Sequence, residues 1–162
     1  MILELIAFNS CSDNLHQMEP LILQKLLLEK IPLAGVMDIK VLQSNDNFVE
    51  LQCSLALNHN HLGTAFGGSL STLMILAAYS RLFIMIGGHG HVVLKSCSME
   101  FLKPVTETLR AAAILPDKIA SAIFLKAYEK KNRAKITLSS EIRLNDGSVA
   151  CRMTGIFVGY QT

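Results

Sequence analysis

Apolar residues recur along this chain with two periods, one of about two residues and one of about 3.6, which predict strands and helices respectively. No repeat, low-complexity tract or linker interrupts the pattern. The predicted strands are residues 36–43, 47–57, 91–104 and 106–115, followed by a last pair on either side of residues 145–147. The predicted helices are residues 13–30, 65–86 and 117–131.

Local signals refine these elements. Ser12 or Asp13 is expected to cap the first helix, and Pro32 to end that segment. The sequence Asn145-Asp146-Gly147 favours a hairpin turn. The residues expected to share one face of strand 91–104 are Val93, Cys97, Met99 and Phe101.

Residues 65–86 are apolar on almost every side, which is typical of a helix that is buried on most of its surface. The segment is long enough to span a bilayer, but Arg81 would cost about 2.5–3.5 kcal/mol at a bilayer centre, so we expect no membrane span. Arg81 needs a partner, and the alternatives are a structural role in the core and a carboxylate across a subunit interface. Gly87 and Gly88 should end the helix. About six mostly antiparallel strands curved around this helix, with two accessory helices, would make an α+β domain.

Length and composition narrow the class of protein. A chain of 162 residues predicts one domain, residues 1–162. It carries 15 Lys and Arg against 13 Asp and Glu, and this balance argues against a nucleic-acid partner. An apolar fraction of 51% excludes a disordered chain.

The cysteines and the N-terminus bear on the compartment. Cys11, Cys53, Cys97 and Cys151 form no CxxC pair, which argues against a zinc finger or ribbon. We expect four reduced, partly buried thiols. The N-terminus lacks the positive region of a signal peptide, so the sequence predicts a cytoplasmic protein.

The most informative segment runs from Asn58 to Ser69 and carries Gly67-Gly68 at the predicted start of the long helix. Glycine is a poor helix former, so the pair needs a reason. One interpretation is close packing of the helix end against a strand. The other is that bare backbone N–H groups face a ligand carbonyl that becomes negative during acyl transfer. The polar residues just upstream, Asn60, His61 and Thr64, favour the second interpretation.

The run Asn60-His61-Leu62-Gly63-Thr64-Ala65-Phe66-Gly67-Gly68-Ser69 resembles the signature of hotdog-fold thioesterases, and most of all the YiiD C-terminal-type thioesterase family. Ile31-Pro32-Leu33, Phe101-Leu102-Lys103-Pro104-Val105 and residues 135–147 extend the resemblance over about residues 15–160. It implies a hotdog fold, a homodimer or dimer of dimers, and a site at the dimer interface. The implied substrate is a thioester of coenzyme A or acyl carrier protein, with no further cofactor and no metal.

The resemblance also implies roles for single residues. The Gly68 amide, with Gly67 as the alternative, would polarise the thioester carbonyl. We hypothesise that Asn60 and His61 share the catalytic work with Gly68. The expected substrate-binding residues are Gly63, Thr64, Phe66, Gly67 and Ser69.

Two departures from the family pattern keep other functions open. Phe66 stands where many relatives have histidine, and Met74 and Ile75 stand where several have a carboxylate. Thioester hydrolysis remains the leading function that the sequence predicts. The alternatives are a non-hydrolytic acyl-thioester binder and another thioester enzyme of fatty-acid metabolism, such as a condensing enzyme.

Two further groups of residues have competing interpretations. The pairs His59/His61 and His89/His91 could hold a metal ion, but about 30 Å of helix would separate them, so no metal site is expected. A cluster of basic residues near the last predicted helix is the second group. It is either a solvated face or a contact for coenzyme A phosphates or an acidic carrier protein. Its members are Lys126, Lys130, Lys131, Arg133 and Lys135, with Lys103 as a similar candidate.

Overall fold

A computed structural model describes residues 18–45, 48–114 and 116–161 of the chain. The helices are α1 (Pro20–Lys30), α2 (Pro32–Val36), α3 (Gly67–Met85) and α4 (Lys118–Lys131), with a 3₁₀ turn at Leu55–Leu57. The strands are β1 (Lys40–Ser44), β2 (Phe48–Cys53), β3 (His91–Phe101), β4 (Leu109–Ile114), β5 (Arg133–Arg143) and β6 (Val149–Tyr160).

The strands form one antiparallel sheet in the order β1-β2-β4-β5-β6-β3. The sheet curves around α3, which contacts every strand from β2 to β6. This arrangement confirms the predicted α+β hotdog fold, a six-stranded curved sheet around a long central helix with accessory helices. One face of the sheet, here called the inner face, packs on α3, and the other is the outer face.

The central helix α3 is buried in the core rather than placed at a surface. Leu73, Met74 and Ala77 are fully buried. The length and composition of α3 would suffice to cross a bilayer, but 67% of its most apolar 18-residue stretch is buried inside the domain. Arg81 has 0% exposure within this single chain. The option that its guanidinium meets a carboxylate across a subunit interface is therefore wrong, because a fully buried group does not reach a neighbouring subunit.

Two predicted boundaries in the first part of the chain are wrong. The described part of the first helix begins at Pro20, with Glu19 as its N-cap, because proline suits the first helical position. The proposed caps Ser12 and Asp13 lie outside the described residues. Pro32 does not only end a segment but begins the short helix α2. Because α2 extends to Val36, the strand predicted at residues 36–43 starts later and is β1.

A β-bulge corrects the predicted face of β3. The register against β6 shifts between Leu94 and Ser96. A bulge adds one residue and so reverses the alternation of the side chains beyond it. Cys97, Met99 and Phe101 share the inner face as predicted, but Val93 lies on the outer face opposite Val158.

The second half of the chain follows its pattern closely. Asp117 caps α4 by accepting a hydrogen bond from the Ala120 N–H at 2.9 Å. The even-numbered residues of β5 face inward, as predicted, and β5 and β6 are joined by a hairpin. Gly147 has a φ of 82° in that hairpin, a backbone conformation that glycine adopts without strain.

Candidate active site

The N-terminus of α3 presents backbone N–H groups without a capping side chain. Its N-cap is Phe66, and the first N–H that bonds back into the helix is that of Leu70, to the Phe66 carbonyl at 3.0 Å. The N–H groups of Gly67, Gly68 and Ser69 therefore have no acceptor within the helix. These donors and the positive end of the helix dipole suit a carbonyl oxygen that gains negative charge.

Two aromatic rings flank this helix end. A Cβ atom placed on Gly68 would overlap the Phe66 ring, and one placed on Gly67 would lie 3.9 Å from the Phe101 ring. Phe66 is 55% exposed and Phe101 is 53% exposed, so both rings border an accessible space. A side chain at position 68 would therefore displace the Phe66 ring, whereas one at position 67 would meet the Phe101 ring at ordinary contact distance.

A cavity of about 300 Å³ lies between the start of α3 and the end of β3, on the side of the Phe101 ring. Most of its lining is apolar, as in ligand pockets generally, and Lys103 is the charged residue among the described residues that line it. The lining residues are Ala65, Gly67, Leu70, Phe101, Leu102, Lys103, Pro104 and Val105. The sequence motif Phe101–Val105 and the Gly-Gly motif therefore meet at one site, although they are far apart in the chain.

The loop before α3 is held by hydrogen bonds at its base. The Asn60 N–H donates to the Thr64 carbonyl at 2.7 Å, and the Ala65 N–H donates to the Val105 carbonyl at 2.7 Å. The Asn60 side chain bridges the loop, because its Oδ1 accepts from the Leu62 N–H at 2.8 Å and its Nδ2 donates to Thr64 Oγ1 at 2.9 Å. The structure thus joins Asn60 and Thr64, with both ends of the Asn60 amide engaged in the loop.

His61 and Gly63 lie at the tip of the same loop. His61 is exposed and makes no hydrogen bond or ion pair with a residue that the structure describes. Gly63 has a φ of 75° at the turn. Within one chain these two residues are not joined to the Gly67 and Gly68 amides, whereas Phe66 contacts Gly68 directly.

Asn58 supports the site, and sequence reasoning gave it no role. It is 2% exposed, and its Nδ2 donates to the carbonyls of Met37 at 3.0 Å and Ser54 at 2.9 Å. Its own carbonyl accepts from the Phe66 N–H at 2.8 Å, which fixes the entry into α3. An amide next to the apolar segment Leu55–Leu57 was the available signal, because a buried amide has to be hydrogen-bonded.

Among the described residues, those that line the cavity include no carboxylate. Met74 is fully buried and Ile75 is partly buried in α3. The nearby hydroxyls are engaged, since Ser71 Oγ donates to the Gly67 carbonyl at 2.7 Å and Thr72 Oγ1 to the Gly68 carbonyl at 2.9 Å. Both hydroxyls therefore donate their protons within α3, and neither residue lines the cavity.

The described residues offer little that could bind a metal ion or act as a reactive thiol near the site. Among the described residues, no three His, Cys, Asp or Glu side chains form a group that could hold a metal ion. Burial raises the pKa of the Cys53 thiol to about 12, with a smaller contribution from Asp38, and burial raises the pKa of Cys151 to about 11. Cys97 is exposed on β3, so the expectation of burial is wrong for this thiol. Cys11 lies outside the described residues.

Comparisons with known proteins place this geometry in a family. The model of the family described as "Putative thioesterase (yiiD_Cterm)" matches residues 21–161. The chain belongs to this family, and its chemistry is thioester hydrolysis. A search of curated proteins finds no match to this sequence.

Solved structures share the fold. A protein named a putative thioesterase from Shewanella oneidensis is 25% identical, with a TM-score of 0.75, covering 85% of this chain and 94% of that one. A protein of unknown function from Chlorobaculum tepidum is 21% identical, with a TM-score of 0.81 and coverages of 86% and 93%. A probable thioesterase from Pseudomonas aeruginosa is 18% identical, with a TM-score of 0.79 and coverages of 92% and 100%. The last two similarities show the shared fold.

Proposed function

We propose that this protein is a cytoplasmic thioesterase that hydrolyses the thioester of an acyl-coenzyme A or an acyl carrier protein. The observation that carries the proposal is the uncapped N-terminus of α3, whose first residue, Gly67, lines an apolar cavity of about 300 Å³. A thioester combines an apolar acyl chain with a carbonyl that must be polarised, so it fits both properties of the site.

In the proposed reaction the thioester oxygen accepts a hydrogen bond from the Gly68 N–H, with Gly67 as the alternative donor. A water molecule attacks the carbonyl carbon, and the negative charge that develops on the oxygen is stabilised at the helix end. The carbon–sulfur bond then breaks, releasing a carboxylic acid and a free thiol. Gly63, Thr64, Phe66, Gly67 and Ser69 would contact the substrate.

Water activation is assigned to His61 and Asn60. The imidazole of histidine has an unperturbed pKa near working pH, which suits a general base. His61 lies at an exposed loop tip, so we propose that it acts once a second subunit covers the loop. Asn60 would hold the loop through Thr64 and orient the water or the carbonyl.

A homodimer, or a dimer of such dimers, would complete this site. β3 is an edge strand that pairs only with β6 among the described strands, and most of its residues are exposed. An exposed edge with free N–H and C=O groups is a template for pairing with another strand. Pairing of two β3 edges would cover Cys97 and Phe101 and place the cavity beside the partner subunit.

The test is free-thiol release from short, medium and long acyl-coenzyme A substrates. His61→Ala and Asn60→Ala should each lower kcat by about 10²–10⁴-fold if they act in water activation. His89→Ala is the matched control, because it removes an imidazole at the other end of α3 and should leave kcat unchanged. Full turnover in both site variants would refute the assignment of these two residues.

A non-hydrolytic acyl-thioester binder is the second candidate, because no carboxylate is found among the lining residues in the described part of the chain. Calorimetric binding of acyl-coenzyme A without thiol release would favour it over hydrolysis. Product formation that requires a malonyl thioester would instead favour a condensing enzyme.

A further inference from the structure

The exposed side of α4 carries a single stripe of four side chains that no other described element covers. Ile119, Ile123, Lys126 and Lys130 follow one another at spacings of four, three and four residues. At 3.6 residues per turn these four positions lie on one side of the helix. We call these residues the α4 stripe.

The stripe lies opposite the buried side of α4. Phe124 and Tyr128 are 2% and 5% exposed, and both rings pack close to Gly159 of β6. In contrast, Ile119 is 74% exposed and Ile123 is 65% exposed. The aromatic side accounts for the packing of α4, so the two isoleucines are not needed for the fold.

The charge of α4 is unbalanced. Lys118, Lys126, Lys130 and Lys131 face one acid, Glu129, so the helix carries +3 in a chain of net charge +2. None of these four lysines forms an ion pair with a residue that the structure describes. An exposed, uncompensated cationic surface complements an anionic one.

The stripe is separate from the candidate active site. α4 packs at the C-terminal end of α3, where Ile86 and the Phe124 ring meet beside Gly159. The cavity lies at the N-terminal end, and a helix of 19 residues separates the two by about 28 Å. The stripe therefore does not contribute to substrate binding in its own chain.

We propose that the α4 stripe binds an anionic phospholipid surface, with Ile119 and Ile123 inserted among the acyl chains and the lysines at the phosphate groups. Exposed apolar residues joined to lysines are what interfacial helices use for this purpose. A protein groove that receives a helix would require apolar anchors over several turns. The apolar part of the stripe ends after Ile123, because Lys126 and Lys130 occupy the next two positions.

The absence of tryptophan from the chain gives a direct test. Ile123→Trp introduces a single fluorophore on the stripe, and Thr137→Trp introduces one on the outer face of the sheet as the matched control. With vesicles of equal parts phosphatidylcholine and phosphatidylglycerol, the emission of Ile123→Trp should shift to shorter wavelength while that of Thr137→Trp should not. Equal shifts, or no shift for Ile123→Trp, would refute insertion.

Vesicle co-sedimentation tests the charge and apolar parts separately. Lys126→Glu with Lys130→Glu should weaken binding by at least about 25-fold, since each basic residue near an anionic surface contributes about fivefold. Ile119→Ser with Ile123→Ser should weaken binding by about tenfold or more. Lys135→Glu, on the outer face of β5, is the control for a charge reversal outside the stripe and should bind normally.

Thermal unfolding of all variants checks that they fold, which we expect because every substituted residue is exposed. Equal binding to vesicles of phosphatidylcholine alone would overturn the proposal. So would binding to soluble polyglutamate that matches binding to the anionic vesicles and does not depend on the isoleucines, because that result would indicate an acidic protein partner.

Discussion

The two ends of α3 differ in how their polar groups and their surroundings are arranged. At the N-terminal end, three backbone N–H groups have no capping side chain, and a cavity lined by Gly67 and the half-exposed ring of Phe101 adjoins the helix. At the C-terminal end, Ile86 and the buried Phe124 ring of α4 both lie beside Gly159. We call the C-terminal end of α3 the closed end, because the Phe124 ring beside it is buried. We call the N-terminal end the open end, because no side chain caps its N–H groups. The closed end supplies buried apolar contacts, whereas the open end keeps backbone donors without partners inside the helix.

The largest expected effect is on stability at the closed end. Phe124→Ala removes a ring that is 2% exposed and stacked on Tyr128 at a centroid distance of 5.8 Å. Truncation of a buried phenylalanine costs about 3–5 kcal/mol, so the free energy of unfolding should fall by that amount in a denaturant titration. The KM of the folded fraction should stay close to that of the unchanged protein. If Phe124→Ala lowered the free energy of unfolding by less than Phe66→Ala, that result would contradict the contrast between the two ends of α3.

The next effect is on activity at the open end. Gly68→Ala adds a methyl group where the Phe66 ring lies, so the ring must move and disturb the position of the carbonyl. We expect kcat to fall by about 10²-fold, the loss typical of a misplaced oxyanion donor, while the free energy of unfolding changes by less than about 1 kcal/mol.

A double variant separates the cause of that loss. Phe66→Ala with Gly68→Ala removes the steric conflict, so it should be more active than Gly68→Ala alone. Equal activity of the single and double variants would show that displacement of the Phe66 ring is not responsible.

A smaller effect concerns the pH dependence of stability. The pKa of Cys53 is raised to about 12 and that of Cys151 to about 11, against a reference value of 9.0. Above pH 9.0 the unfolded chain loses these thiol protons while the folded chain keeps them. Stability should therefore be intact at neutral pH and fall as the pH rises from about 9 towards the folded pKa values. Denaturant titrations at neutral pH and above pH 9.0 measure the fall in the free energy of unfolding. The double variant Cys53→Ala with Cys151→Ala should show a smaller fall.

The smallest effect is a difference in thiol reactivity along the sheet. Cys97 on the β3 edge is exposed, whereas Cys53 and Cys151 are buried thiols with raised pKa values. Iodoacetamide should label Cys97 well before the other two, as followed by mass spectrometry of peptides. Labelling of Cys97 that slows as the protein concentration rises would support pairing of two β3 edges. A rate independent of concentration would argue against that pairing.

The sequence by itself determined the type and order of most elements, because burial imposes its period on the residues. The even-numbered residues of β5, the helix α4 within residues 117–131 and the Asn145-Asp146-Gly147 hairpin are all as predicted. The apolar helix inside a curved sheet followed from the lack of a polar face on residues 65–86. The motif from Asn60 to Ser69 also indicated which family to expect, and the family match confirms it.

Only the tertiary structure decided what depends on contacts between distant segments. The β3 bulge, which moves Val93 to the outer face, has no local signal in the alternation of residues. The role of Asn58 requires Met37 and Ser54 beside it, and the cavity requires Phe101 across from Gly67. Periodicity records which face of an element is buried, but not which residue it meets there. Those partners are fixed by the sheet register and by the way the strands close around α3.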